Sequence, residues 1–470
     1  MTRIHLVGVC GTAMATLAAL LKRKGHDVQG SDQNVYPPMS DFLREEGIRT
    51  LTGYDPAHIT GDLDLVVVGN AISRGNPELE EVLDRKIRYC SLPEAVREHF
   101  LWGARSIVVA GTHGKTTTTA LAGWLLVHAG LDPSVLVGGI AANLGEHGAS
   151  YRLGHGRDFV IEGDEYDSAF FDKTAKFLKY LPDIAVIANI EFDHADIYED
   201  LAAVRLAFRR LANLVPRRGL LLLGADSPDA AALAAVARSR VETFGLSGRA
   251  DWLAYDVEPS ADGTAFRVQH RGAALGVFRT AMAGEHNVKN ALAAMAIATE
   301  AGAPIESVRE GLFAFAGVKR RLETVGSARG VTVLDDFAHH PTAVRETLAA
   351  VRAAHPRARI WAVFEPRSAS SCRRVFQEAF TASFAAADEV IIAQVYRAQL
   401  PADERLSPER LVEDLAAAGR NARFVSDVGA IVELLSREVR DGDIVVVMSN
   451  GGFGGIHAKL LAALGTGQGG

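Results

Sequence analysis

Residues 107–119, Ile-Val-Val-Ala-Gly-Thr-His-Gly-Lys-Thr-Thr-Thr-Thr, set an apolar strand against a glycine turn, a lysine and a row of hydroxyls. Gly111 and Gly114 free the backbone to turn tightly and aim its N–H groups at phosphate oxygens. Lys115 offers a mobile cation and Thr116 a hydroxyl for a magnesium ion, with Thr112, His113 and Thr117 completing the loop. A helix predicted over 120–129 adds the positive end of its dipole. The usual spacing places another glycine five residues before Gly114, where this chain has Val109, so the loop is a shortened variant. The chemistry this spacing predicts is binding of a nucleotide polyphosphate.

Two acidic stretches end later strands: Phe159-Val-Ile-Glu162-Gly-Asp164-Glu165-Tyr-Asp167 and Ile187-Ala-Asn189-Ile-Glu191-Phe-Asp193-His194-Ala-Asp196. Magnesium takes hard oxygen ligands and keeps several waters, so one or two carboxylates beside a triphosphate suffice. A solvated acidic surface is the plain alternative; position at strand ends beside the phosphate loop favours metal. His194, as a neutral imidazole, can join a second metal site. Asn287 and Asn290, three apart at the start of a helix, share a face and can meet one ligand. Lys319-Arg320-Arg321 is either a solvated basic face or, at a domain junction, a source of an arginine for a transferring phosphoryl group. Asp335-Asp336-Phe-Ala-His339-His340-Pro341 ends a strand where a carboxylate can hold a ribose hydroxyl.

The elements that must position these groups alternate short Val/Ile/Leu runs with amphipathic stretches, the pattern of parallel sheets with crossover helices. Three units are expected: 1–103, 104–317 and 318–470. The first has strands near 3–9, 27–31, 64–69 and 87–90. The second has strands near 106–111, 158–162, 184–190, 219–224 and 241–244, then an antiparallel-looking stretch from Trp252 to Met282. The third has strands at 331–335, 359–364, 389–393, 422–425 and 443–448, and the glycine-rich C-terminus reads as a frayed tail. The first unit opens with Gly8-Val-Cys-Gly11-Thr12 and reaches Asp32 after Gly30, a dinucleotide-like fingerprint without its third glycine. A tight turn needing small residues explains it equally; a diphosphate at the helix start is the functional reading. Asn70-Ala-Ile-Ser73 follows the strand near 64–69 and adds donors at the carboxyl end of the same sheet.

With 470 residues, 48% hydrophobic and 23% charged, the chain reads as a multidomain globular protein. A net charge of −7 argues against a general nucleic-acid or membrane-surface binder. Three scattered cysteines suit a reducing cytosol, and no signal segment or membrane-length apolar run is read, so a cytoplasmic location is expected.

Taken in order, these motifs resemble the Mur ligase family along essentially the whole chain. The carriers are Gly-Thr-His-Gly-Lys-Thr-Thr at 111–117, Glu-x-Asp-Glu at 162–165, Asn-Ile-Glu-x-Asp-His at 189–194, His-Asn-x-x-Asn at 286–290, Lys-Arg-Arg at 319–321 and Asp-Asp-x-x-His-His-Pro at 335–341. The resemblance implies a three-domain α/β protein: a Rossmann-like UDP-sugar domain, a central P-loop ATPase with a mostly parallel sheet, and a Rossmann-like domain for the incoming amine. It implies ATP and Mg2+ as cofactors, with phosphate and metal on Lys115 and Thr116 and metal also on Glu162 and His194. It further implies adenine on Asn287 and Asn290, phosphate on Arg321 and ribose on Asp336. Lys115, His194 and Arg321 are thereby the expected catalytic residues, and Gly8, Gly11, Thr12, Asp32, Asn70 and Ser73 the expected sugar-nucleotide contacts. The carbamylated lysine of several Mur ligases has no counterpart, since Arg205-Leu-Ala-Phe-Arg209-Arg210 occupies that region.

Segments 31–40, 69–77, 164–173, 364–368 and 447–457 are similar to the branch that joins UDP-N-acetylmuramate to preformed L-Ala-γ-D-Glu-meso-diaminopimelate in peptidoglycan recycling. Its small-molecule substrates are then the partners, with neither nucleic acid nor membrane, in a monomer or weak homodimer. Arg367, Ser449, Asn450 and Gly451 are expected to line the peptide pocket, where arginine pairs bidentately with a carboxylate and glycine allows close approach. Addition of free L-alanine to the same UDP-sugar is the nearest alternative. A non-catalytic nucleotide-binding regulator leaves the metal carboxylates and basic cluster without a use, and a dehydrogenase leaves the phosphate loop without one.

Overall fold

The structure, a computed structural model, describes residues 1–36, 39–396 and 400–465. The expected frayed tail falls almost wholly outside that range. The α/β class read from the sequence holds, with strands and helices alternating along the chain. The residues group into two compact units: Met1–Ile190, Ala202–Phe244 and Ala293–Gly311 form the first, and Glu191–Leu201, Gly245–Leu292 and Leu312–Gly470 the second.

The first unit opens with a five-stranded parallel sheet in the order Arg49–Thr52, Asp27–Asp32, Arg3–Val7, Leu65–Val68, Tyr89–Ser91. Strand order reverses between Arg3–Val7 and Leu65–Val68, and ligands bind beyond the carboxyl ends of strands at such a switch point. Leu65–Val68 is buried at every position, as a strand covered on both faces must be. Asn76 caps the helix Pro77–Asp84 by accepting from the N–H groups of Glu78 and Leu79, as its Asn-Pro start predicts. Beneath this sheet lies Glu78, fully buried, and Ser31 Oγ donates to its carboxylate at 2.5 Å. The rings of His5 and His58 face the same carboxylate at 3.1 and 2.7 Å, and the Asp55 N–H at 3.3 Å.

A second sheet in this unit runs Arg240–Gly245, Leu220–Gly224, Ile184–Ile187, Arg105–Ala110, Asp158–Gly163, Ser134–Ala141, all parallel, with Ala149–Arg152 antiparallel at the edge. The helix after the phosphate loop spans Lys115–His128 and begins at Lys115, not at Ala120 as read from the sequence. Gly114 caps it in the left-handed conformation, at φ +83°. A threonine run fits there because Thr119 Oγ1 donates to the Lys115 carbonyl one turn back, at 2.8 Å.

In the second unit, Trp252–Ser260, Gly263–His270 and Ala273–Thr280 form the antiparallel meander that their alternation predicts. A six-stranded sheet follows in the order Glu323–Ala328, Val331–Asp336, Ile444–Met448, Ile360–Phe364, Glu389–Ile392, Asn421–Phe424, parallel except for its first pair. Side chains of Ile360–Phe364 alternate between two cores: Ile360, Ala362 and Phe364 pack with Phe380 and Phe384, and Trp361 and Val363 with Ile431 and Leu460.

Strands absent from the sequence reading are Arg49–Thr52, Ser134–Ala141, Ala149–Arg152, Glu323–Ala328 and the hairpin Asp167–Ala169/Asp172–Ala175. Most are short or half-exposed edge strands, and two glycines break the pattern of Ser134–Ala141. Among the described residues no helix is long and apolar enough to cross a membrane.

Candidate active site

The strand Arg105–Ala110 delivers the chain into Gly111, which sits at φ +137°. A Cβ at Gly111 would stand 3.1 Å from the Ala188 amide nitrogen, so only glycine lets the loop pass the neighbouring strand end. Asn189 pins the loop: its Oδ1 accepts the His113 N–H at 2.7 Å and its Nδ2 donates to the His113 carbonyl at 3.2 Å. Lys115 Nζ donates to the carbonyls of Gly111 and Thr112, at 2.7 and 3.2 Å, and to Glu165 Oε1 at 2.9 Å. Burial alone would lower its pKa, but the charges of Glu165 and Asp164 outweigh burial and raise it, so Lys115 stays a cation.

Thr116 Oγ1 donates to Glu162 Oε1 at 2.9 Å, and the Gly138 N–H donates to Glu162 Oε2 at 2.7 Å. A Cβ at Gly138 would lie 2.9 Å from that oxygen, so the glycine keeps the carboxylate's cradle open. Burial, reinforced by the charge of Asp164, pushes the Glu162 carboxyl above the usual carboxylate range. A buried hydroxyl–carboxylate pair beside a second carboxylate is a donor set suited to a hard cation. Glu165, Asn189 and Gly138 received no role from the sequence. The first two lay inside motifs already marked; Gly138 belongs to a strand that was not read.

At the switch point of the five-stranded sheet, Gly8, Gly11 and Thr12 follow one strand, Asp32 ends a second, and Asn70 and Ser73 follow a third. Gly8 takes φ +84°. Asp32 organises the turn by accepting the N–H groups of Cys10 at 2.9 Å and Asn34 at 3.0 Å. Asn70 Nδ2 donates to the Asp167 carbonyl at 3.2 Å. The expected sugar-nucleotide residues therefore share the carboxyl end of one sheet.

The second unit holds His194, Asn287, Asn290, Arg321, Asp336, Arg367 and the turn at 449–451. Asn290 Nδ2 donates to Asn287 Oδ1 at 3.1 Å, and Asn287 Nδ2 donates to the Ala283 carbonyl at 2.8 Å. Asp336 accepts from the N–H groups of Leu322 at 2.7 Å and Ala338 at 2.8 Å, and from Thr347 Oγ1 at 3.1 Å. Burial raises its carboxyl despite the nearby Arg321 charge. Asp336 thus holds a turn in which Arg320 and Leu322 both take positive φ, +62° and +51°. The two arginines of the basic cluster both lie over the Phe337 ring, but it is Arg320 that bonds the C-terminal turn. Arg320 donates to the carbonyls of Ser449 and Gly451 at 2.6 and 2.8 Å, whereas the Arg321 guanidinium lies 4.8 Å from the Phe337 ring centroid.

Adjacent strands Ile360–Phe364 and Ile444–Met448 end in Glu365 and Ser449, and Ser449 Oγ donates to Glu365 Oε2 at 2.5 Å. Arg367 Nη1 stands 3.6 Å from Glu365 Oε1, and its guanidinium lies 3.7 Å over the Tyr396 ring. A Cβ at Gly451 would fall 2.0 Å from Arg367 Nε, which explains the glycine. Glu365 and Tyr396 were not singled out as site residues from sequence. Glu365 lies within segment 364–368; Tyr396 meets Arg367 only through tertiary packing. His194 takes a left-handed backbone, φ +53°, and donates its N–H to Asp193 Oδ1 at 2.7 Å and Ser370 Oγ at 2.9 Å. Burial would raise the Asp193 carboxyl, but the neighbouring His194, His339 and His340 and the Ser370 hydroxyl hold it well below the usual range.

Family models match in three consecutive blocks: "Mur ligase family, catalytic domain" at residues 3–101, "Mur ligase middle domain" at 109–298 and "Mur ligase, glutamate ligase domain" at 320–451. The UDP-N-acetylmuramate–L-alanyl-γ-D-glutamyl-meso-2,6-diaminoheptandioate ligase of Escherichia coli is 41% identical over 464 residues, covering 98% of each chain. The UDP-N-acetylmuramate–L-alanine ligase of Kineococcus radiotolerans is 38% identical over 468 residues, covering 98% of this chain and 96% of its own. A crystal structure of a murein peptide ligase from Psychrobacter arcticus superposes with a TM-score of 0.72 at 36% identity, covering 99% of both chains. Three family blocks along nearly the full length, with full-length relatives at this identity, establish that the chain belongs to the Mur ligase family and is a ligase that forms carbon–nitrogen bonds.

Proposed function

We propose that this ligase joins UDP-N-acetylmuramate to preformed L-Ala-γ-D-Glu-meso-diaminopimelate, consuming ATP, in peptidoglycan recycling. The observation that carries the reading is the full-length likeness to the E. coli enzyme of that name. A carboxylate is a poor acyl donor, so activation comes first. The lactyl carboxylate oxygen attacks the γ-phosphorus of ATP; the new O–P bond forms as the β,γ-bridge P–O bond breaks and ADP leaves. The free amine of the peptide then attacks the acyl carbon of the resulting acyl phosphate. The C–N bond forms, the C–O bond to phosphate breaks, and inorganic phosphate departs while the amine proton passes to solvent. The protein's task is positioning and charge neutralisation.

In this reading Gly111, Thr112, His113, Gly114 and Thr117 wrap the phosphates and Lys115 moves from its own loop carbonyls to the transferring phosphoryl group. Asn287 and Asn290 receive adenine, Asp336 the ribose and Arg321 the γ-phosphate. Gly8, Gly11, Thr12, Asp32, Asn70 and Ser73 receive the sugar nucleotide. Thr116 and Glu162 would hold Mg2+, with His194 a further metal residue by family resemblance; the ion would supply neutralisation of phosphoryl charge. Arg367, Ser449, Asn450 and Gly451 would line the peptide pocket.

Phosphate release with UDP-N-acetylmuramate, ATP and Mg2+ tests the reading. Turnover is expected with the tripeptide and not with L-alanine; alanine-only turnover moves the chain to the single-residue branch. Arg367→Ala is expected to raise KM for the tripeptide by roughly 10- to 100-fold, the worth of a charged hydrogen-bond pair, with KM for ATP nearly unchanged. Equal rises in both would remove Arg367 from the peptide pocket.

A further inference from the structure

The stretch Glu191–His194 is built into the second unit by a series of contacts, part-buried at Glu191 and Phe192 and buried at Asp193 and His194. Thr342 Oγ1 donates to Glu191 Oε2 at 2.6 Å, the His340 ring meets the Phe192 carbonyl at 3.1 Å, and the Phe192 and Phe376 rings stack at 6.0 Å. Those contacts reach the start of the helix Pro341–Ala354 and the short 3₁₀ turn Arg374–Phe376. Asp193 and His194 instead meet the loop that carries Arg367. Ser370 Oγ donates to Asp193 Oδ1 at 2.5 Å and accepts the His194 N–H at 2.9 Å, while Asp193 Oδ1 accepts the same N–H at 2.7 Å. Three polar groups close on one another, with Asp193 at 4% and Ser370 at 2% exposure, so water does not compete.

Two features make this more than a buried hydrogen bond. First, His194 lacks the freedom of glycine, so its left-handed backbone, φ +53°, is held by its surroundings. Ser370 and Asp193 are those surroundings, and they act at the His194 backbone, which sets the direction of its ring. Second, the loop between Arg367 and Ser370 is knotted by its own serines. Ser371 Oγ accepts the Arg367 N–H at 3.0 Å, Ser368 Oγ accepts the Ser371 N–H at 2.9 Å, and the two hydroxyls bond at 2.8 Å. A shift of the Arg367 backbone is therefore carried to Ser370 rather than absorbed between them.

We infer that Ser370 is a positioning residue that couples the Arg367 loop to His194, so that occupancy of the loop by the amine substrate sets the orientation of the histidine ring. The coupling to substrate rests on Arg367 as a peptide contact; the hold on His194 rests on the geometry alone.

The test uses full-length protein with Ser370→Ala, Ser370→Thr and ¹⁵N-histidine labelling, the His194 ring signal being assigned by its loss in His194→Asn. Ser370→Ala is expected to lower kcat by about 10- to 100-fold, the scale of a misplaced reacting geometry, with KM for ATP and UDP-N-acetylmuramate within about twofold. Ser370→Thr, which keeps the hydroxyl, recovers most of that loss; a role confined to stability would move the melting temperature and leave kcat of the folded enzyme alone. In wild type, tripeptide added without nucleotide shifts the His194 ring resonance. In Ser370→Ala the tripeptide still binds by calorimetry and the resonance stays put. Wild-type kcat in Ser370→Ala, or an equal resonance shift in both proteins, overturns the coupling. If Ser370→Ala fails to fold, Asp193→Asn, which keeps side-chain volume while weakening the same bond, is read by the same criteria. If L-alanine rather than tripeptide binds wild type, the substrate reading fails, and the same resonance experiment with L-alanine decides the coupling.

Discussion

Lys115→Ala lowers kcat for phosphate release by about a thousandfold at saturating substrates, the scale expected when a preorganised charge on a transferring group is lost. The ammonium is held ready by the Gly111 and Thr112 carbonyls and by Glu165, a buried arrangement that keeps it charged before nucleotide arrives. Those contacts are compact, and a point charge on a flexible stem satisfies all three. Lys115→Arg therefore rescues little: the planar guanidinium does not fit two loop carbonyls and a carboxylate arranged around one nitrogen. Loss of less than tenfold in Lys115→Ala would remove the residue from phosphoryl transfer. The substitution also removes the cation that lowers the Glu162 carboxyl, so that carboxyl, already raised by burial and Asp164, is expected to rise further.

The second large effect is on stability. Glu78→Ala is expected to destabilise the first unit by about 3–5 kcal/mol, because it removes one buried partner and leaves several polar groups unsatisfied. Those groups are the Ser31 hydroxyl, the His5 and His58 rings and the Asp55 N–H, contributed by three separate places in the chain. The urea midpoint is the readout; a change below about 1 kcal/mol would mean the cluster relaxes or hydrates freely. The pH dependence has a definite sign. Burial would raise the Glu78 carboxyl, yet hydrogen bonds from His5, Ser31 and His58 outweigh it, and the folded value lies below the ordinary one. A depressed carboxyl contributes stability that is complete above the unfolded value, roughly pH 4.3, and is lost as pH falls through the folded value. Glu78→Gln should flatten that acid-side loss while keeping much of the shape. An unchanged acid limb in Glu78→Gln would assign the loss to other carboxylates.

The phosphate loop was legible because its chemistry is local: strand, glycine turn, lysine and hydroxyl lie within a dozen residues, and each type has one conformational or electrostatic reason to be there. The same holds for the parallel strands buried on both faces and for the alternating stretch from Trp252 to Met282, whose meander spans Trp252–Thr280. The short edge strands were not legible. Arg49–Thr52 and Glu323–Ala328 are half-exposed, so burial imposes no sharp apolar pattern on them. The helix starts at Lys115 rather than Ala120: β-branched threonines argue against helix, and the Thr119 hydroxyl's bond to the Lys115 carbonyl and the Thr116 hydroxyl's bond to Glu162 answer the objection.

The sequence by itself determined the α/β class and the residue types gathered at each strand end, since these follow from short-range period and spacing, and the order of its motifs carried the resemblance to the family. Tertiary structure alone decided which partner each charged group meets. Glu165 neutralises Lys115 from 50 residues away, Ser370 grips Asp193 from 177 away, and Arg367 lies over Tyr396. Such pairings depend on strand order and on loops meeting at a sheet edge. Chain entropy makes distant contacts costly until the surrounding core has formed, and no local pattern records which of them that core will bring together.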